Sequence, residues 1–101
     1  VDATDEDFGK IVAYAAAHDI PLLVQFHADW CRPCKVLAPL VQDVITTDKT
    51  AALVRVDIEK AQETVRAYKV MALPTLVVIV DGQAKNQTIG SQTKDKVRQF
   101  L

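Results

Sequence analysis

Cys31 and Cys34 stand in the segment Trp30-Cys31-Arg32-Pro33-Cys34-Lys35 and are the only two cysteines of the chain. Two thiols separated by two residues can close a small ring as a disulfide and open it again. The thiolate is the nucleophile in that exchange. An apolar run, Pro21 to Phe26, precedes the pair, and an amphipathic stretch, Lys35 to Ile45, follows it. The order is strand, Cys-x-x-Cys, helix. It places Cys31 at a helix N-terminus, where unpaired backbone N–H groups and the helix dipole favour negative charge. Pro33 suits the first turn, because the N–H it lacks would have no partner there.

The competing uses of two cysteines are scaffold and metal. A chain of 101 residues builds a core without disulfide staples, and a bridge over so short a loop restrains little of the unfolded chain. Zinc takes four ligands, and a second Cys-x-x-Cys is absent. His18 and His27 both precede the cysteines at unsuitable spacing. No metal and no cofactor are expected.

The rest of the sequence must position the pair. It is 50% hydrophobic and 25% charged, with few Gly and Pro, which is the composition of a single globular domain over residues 1–101. The net charge is −1 and no basic block exists, so nucleic acid and anionic membrane are poor partners. The longest apolar run, Ile11 to Ala17, is too short to span a bilayer. The first ten residues are mostly polar or acidic and carry no secretory signal. The expected compartment is the cytoplasm, or an extracytoplasmic space if a leader was removed before Val1.

Thr4 is a plausible N-cap, with Asp5, Glu6 and Asp7 suiting the turn after it. Phe8, Ile11, Val12, Ala15 and Ala16 recur at helical spacing, ending near His18-Asp19. Leu22 to His27 reads as a buried strand. The next helix buries Val36, Leu37, Leu40, Val41, Val44 and Ile45, with Pro39 predicting a kink. Ala52 to Ile58 is a second strand, and Ala61 to Tyr68 a short helix. Thr75 to Val80 is a third strand, apolar enough to be central. Asp81-Gly82 signals a hairpin into Ala84 to Ile89. Ser91 or Thr93 opens a last helix that buries Val97, Phe100 and Leu101. Val1 to Ala3 is a candidate stub of a further edge strand. The order implies a mixed α/β sheet with helices on both faces. Strands linked by helices run parallel where they share a crossover, and the terminal hairpin is antiparallel.

Phe26, Ala28, Trp30-Cys31, Pro33-Cys34-Lys35, Ala38-Pro39, Asp57, Tyr68, Leu73-Pro74-Thr75, Gly82 and Gly90 together resemble the thioredoxin family in order and spacing, over nearly the whole chain. The resemblance implies the thioredoxin fold, with a four- to five-stranded mixed sheet, and a protein thiol–disulfide oxidoreductase. It makes Cys31 the exposed attacking cysteine and Cys34 the buried resolving one. It makes Pro74 a cis-proline beside the disulfide, which X–Pro bonds tolerate, and leaves the backbone of the preceding residue free to pair with a substrate strand. Trp30, Met71, Ala72, Leu73 and Pro74, with Ile89, Gly90 and Ser91, match the rim on which the family docks its partners.

Three positions depart from the family pattern. Arg32 stands where glycine is usual. Its charge beside Cys31 favours thiolate, hence the reduced pair, and so makes the pair a stronger oxidant than a glycine version. Gln25 replaces a buried aspartate and cannot accept a proton from Cys34. His27 replaces a tryptophan on the same strand face, titrates near neutral pH, and is the candidate to serve instead. The plainer readings are a hydrogen-bonded core amide for Gln25 and a partly covered strand-end histidine for His27. Arg55 stands for a family lysine, and with Asp57 forms a strand-end charge pair with no chemical duty.

The expected activity is reduction or exchange of disulfides in partner proteins by a monomer, with a separate reductase or oxidant handling the electrons. The alternatives are an extracytoplasmic oxidase or isomerase of the same fold, and a binding module whose thiols are incidental.

Overall fold

The computed structural model describes residues 1–90 and 92–101. Their elements run β1 (Asp2–Ala3), α1 (Asp5–Ala17), β2 (Leu22–His27), α2 (Arg32–Asp48), β3 (Ala52–Asp57), α3 (Gln62–Ala67), β4 (Thr75–Val80), β5 (Gln83–Ile89) and α4 (Lys94–Phe100). The sheet order is β1-β3-β2-β4-β5. The three strands β1, β3 and β2 are parallel, while β4 is antiparallel to both β2 and β5.

β4 is interior, as expected, paired with β2 on one side and β5 on the other, and β2 is the middle strand. The connection from β3 through α3 to β4 is no parallel crossover. Six helical residues rise about 9 Å, while a six-residue strand spans about 20 Å. A helix that short keeps the chain at the end of the sheet where β3 finishes, and β4 runs back from there.

Strand alternation sorts the core into two layers. Val24, Phe26, Val54, Val56, Val77 and Ile79 face α1 and α3, meeting Phe8, Ala15 and Tyr68. Leu23, Leu53, Leu76 and Val78 face α2 and α4, meeting Leu37, Val41, Val44 and Val97. Helix α2 begins at Arg32, three residues before the amphipathic stretch, and continues through Pro39 as a single helix. Val36, expected in its apolar stripe, is exposed. Thr93 caps α4 by accepting the Lys96 N–H at 3.2 Å. Ser91, the other candidate for that start, lies outside the described residues.

At the β4–β5 turn, Asp81 and Gly82 both take positive φ, at 53° and 78°, as a two-residue primed turn requires. The carboxylate of Asp5, in α1, accepts from the Thr64 N–H and hydroxyl, both at 2.8 Å, and from the Glu63 N–H at 3.2 Å. The cap position of α3 is Ala61, which has no side-chain acceptor. A residue almost sixty positions away therefore caps that helix.

Candidate active site

Strand β2 ends at His27, and four residues carry the chain from there to α2. The Cys31 N–H donates to the Ala28 carbonyl at 3.1 Å, closing that loop. Cys31 is the N-cap of α2 and Pro33 sits in its first turn. Cys34 is bonded to Cys31 as a disulfide, with Cα atoms 5.3 Å apart. The Cys34 N–H also donates to the Cys31 sulfur at 3.2 Å. Pro33 has no N–H to offer, so Cys34 is among the first donors of the helix able to reach that sulfur.

Both cysteines are buried, Cys31 at 4% exposure and Cys34 at 2%. The expectation of an exposed Cys31 is corrected. The bonded pair packs with Ala28 and lies under Ile58 and Leu73. What separates the two cysteines is which hollow each one lines.

Cys31 lines an apolar groove of about 470 Å³ with Trp30, Arg32, Pro33, Met71, Ala72 and Leu73. Trp30 and Met71 are exposed, at 67% and 90%. Ile58, Val65 and Val70 complete the wall. Sequence reading missed these three, because only the placement of α3 brings them to the cysteines.

The Leu73-Pro74 bond is cis. Pro74 is buried and its carbonyl accepts the Gly90 N–H at 2.8 Å. The Thr75 hydroxyl donates to the Ala72 carbonyl at 2.6 Å, fixing the loop. Among the described residues the Leu73 backbone takes no hydrogen-bond partner. Gly90 is thus tied to the proline, and Ile89 pairs with Thr75, but neither lines the groove. Ser91, the last of the expected docking residues, lies outside the described residues.

Cys34 lines a different hollow, a polar cleft of about 430 Å³. His27, Arg55 and Asp57 face it from the sheet, Asp2 from β1, and Asp29, Lys35 and Lys60 from the rim. The imidazole of His27 is pushed below its usual 6.5 by burial and then by the Arg55 cation, against the opposing pull of Asp57, Asp2 and Asp29. His27 and Asp57 are register partners across β2 and β3, as are Gln25 and Arg55.

Gln25 is fully buried, the core position expected of this amide, and protein atoms among the described residues give neither end of it a hydrogen-bond partner. The Arg55 Nε is likewise buried and unpartnered. The expected Arg55–Asp57 charge pair is corrected. Among the described residues no ion pair joins them, and Asp57 instead accepts the Glu59 N–H at 2.9 Å.

Among the described residues no group of three or more His, Cys, Asp or Glu side chains is arranged to hold a metal ion, and no helix is long and apolar enough to cross a membrane.

The sequence matches the family described as Thioredoxin over residues 1–101. Curated relatives include the thioredoxins of Staphylococcus aureus strains Mu50, MW2 and N315. Each is 33% identical over 102 residues, spanning 100% of this chain and 93% of the relative.

Proposed function

We propose that this chain, which belongs to the thioredoxin family and is a protein thiol–disulfide oxidoreductase, works as a disulfide reductase with Cys31 as the attacking thiol and Cys34 as the resolving one. The observation that carries this reading is the division of the two cysteines between two hollows. Cys31 lines the apolar groove, with exposed Trp30 and Met71 beside it, where a partner chain has surface to bury. Cys34 lines the polar cleft, where a proton can leave.

In the reduced state the Cys31 thiolate is stabilised by the Cys34 N–H and by the start of α2. It attacks one sulfur of a partner disulfide. A Cys31–partner bond forms, and the other partner sulfur leaves as thiolate. Cys34 loses its proton and attacks the Cys31 sulfur. The Cys31–Cys34 bond closes, and the second partner sulfur leaves. The partner gains two electrons and the chain ends as the disulfide seen here. A separate reductase returns the electrons. The second attack is fast because the thiols are tethered two residues apart.

The groove favours an extended partner segment. Its apolar side chains would rest on Trp30 and Met71, and its backbone would pair with Leu73 beside Pro74. Residues 1–101 act here as one unit and as a monomer. Reduction suits a compartment that keeps thiols reduced, such as the cytoplasm.

One observation favours the opposite flux. Arg32 is exposed and directly follows Cys31, so its charge favours the reduced pair and a more oxidising couple. Insulin reduction driven by dithiothreitol tests the enzyme reading. Wild type should accelerate precipitation of the insulin chains and Cys31→Ser should not. A variant as active as wild type would leave only the binding-module alternative.

A further inference from the structure

The Cys34 thiol must lose a proton before it can attack, and the steps above give that proton no destination. Cys34, 2% exposed at the start of α2, lines the polar cleft. We propose that His27 receives the Cys34 proton, relayed by water in the cleft that the two residues share. This rests on the reading in which Cys34 is the resolving thiol.

Three observations support the relay. First, Cys34 and His27 line the same cleft, and Cys31 does not. Its volume of about 430 Å³ holds several waters, and its polar walls give each water the partners it needs. Second, the amide of Gln25 and the Nε of Arg55 are buried without partners among the described residues. Buried polar groups carry partners. Arg55 itself lines the cleft and stands in register with Gln25, so water entering there reaches the sheet beneath the first turn of α2. Third, among the described residues that line the cleft with Cys34, the half-buried His27 is the side chain whose ordinary charge change falls near neutral pH. The groups facing it are Arg55 and Asp57 from β3, Asp2 from β1, Asp29 beyond β2, Lys35 on α2 and Lys60 beyond β3. Burial and Arg55 together disfavour the imidazolium relative to the neutral imidazole, the form that accepts a proton.

The step balances. The S–H bond of Cys34 breaks and its proton passes through water to an imidazole nitrogen of His27. The Cys34 sulfur bonds to the Cys31 sulfur, and the Cys31–partner bond breaks. The partner leaves as a thiolate, and the proton on the imidazolium returns through solvent. Two electrons move from the dithiol to the partner sulfurs, and no further reactant is required.

The test isolates resolution from attack. Cys31 is loaded at acid pH with a coloured aromatic thiol as a mixed disulfide, and release is followed in a single turnover after a pH jump. Wild-type release should rise with the His27 titration, read by NMR on the same protein, and level off above it. His27→Gln should slow release at pH 7 by on the order of 10²-fold, the low end of general-base contributions. Added imidazole should restore part of the loss, which a purely structural defect would not allow. An H27Q profile matching wild type would overturn the proposal. If H27Q does not fold, a wild-type inflection away from the His27 titration overturns it instead. Release by Cys34→Ser at the wild-type rate would bring down the resolving role beneath it, and the relay with it. Slow release in C34S with unaltered release in H27Q would remove the relay alone.

Discussion

The Cys34 N–H donates to the Cys31 sulfur across 3.2 Å, inside the first turn of α2. One residue thus bonds to Cys31 twice, through its sulfur and through its backbone. When the disulfide opens, charge develops on a sulfur that already faces a donor and the positive end of a 17-residue helix. That preorganisation favours Cys31 as the sulfur that carries the charge.

Arg32 adds to the same field from an exposed position. Replacing it by glycine should make the couple less oxidising. An exposed charge is worth up to about 1 kcal/mol, or on the order of 20 mV for a two-electron couple. Equilibration with glutathione at low and high salt measures this. The difference should shrink as salt rises. Equal potentials at low salt would contradict the role given to Arg32.

Leu37, 1% exposed, ties the helix bearing both cysteines to Leu23, Leu76 and Val78 of the sheet. Leu37→Ala should cost about 2–5 kcal/mol by lost burial and a residual cavity, read from urea unfolding. A loss under about 1 kcal/mol would mean that α2 is held by something other than this layer.

Asp5 caps α3, whose own Val65 lines the groove beside Cys31. Burial raises the Asp5 carboxyl. The hydrogen bonds from Thr64 and Glu63, with the charge of Arg66, outweigh it and bring the group below its usual 3.8. A depressed carboxyl stabilises the fold above the unfolded value and loses that effect as pH falls through the folded one. Asp5→Ala should therefore lower the urea midpoint at neutral pH, with the gap closing below about pH 4, near the ordinary aspartate value. A gap constant down to pH 2 would contradict the cap.

The strands at the heart of the sheet were legible because their residues repeat one signal. Leu22 to His27 and Thr75 to Val80 are apolar runs bounded by Pro, Asp and Gly, and both match the structure. The cysteine pair and the cis Leu73-Pro74 bond were legible through family order. The start of α2 was legible too, because a strand, a Cys-x-x-Cys and an amphipathic run in that order put Cys31 at a helix N-terminus and Pro33 in its first turn, where both stand. The trans cap by Asp5 was not, because it joins residues almost sixty positions apart. The burial of Cys31 depends on Ile58 and Leu73 closing over it. Those two come from separate loops, and no local pattern places them. The orphaned amide of Gln25 depends in the same way on what β3 sets beside it.

Trapping on a disulfide peptide tests most directly which sulfur attacks. Each single serine variant, reduced, is mixed with the peptide, and the adducts are read by mass spectrometry. Cys34→Ser should accumulate a stable mixed disulfide on Cys31, and Cys31→Ser should form little or none on Cys34. Faster adduct formation on Cys34 than on Cys31 would contradict the account.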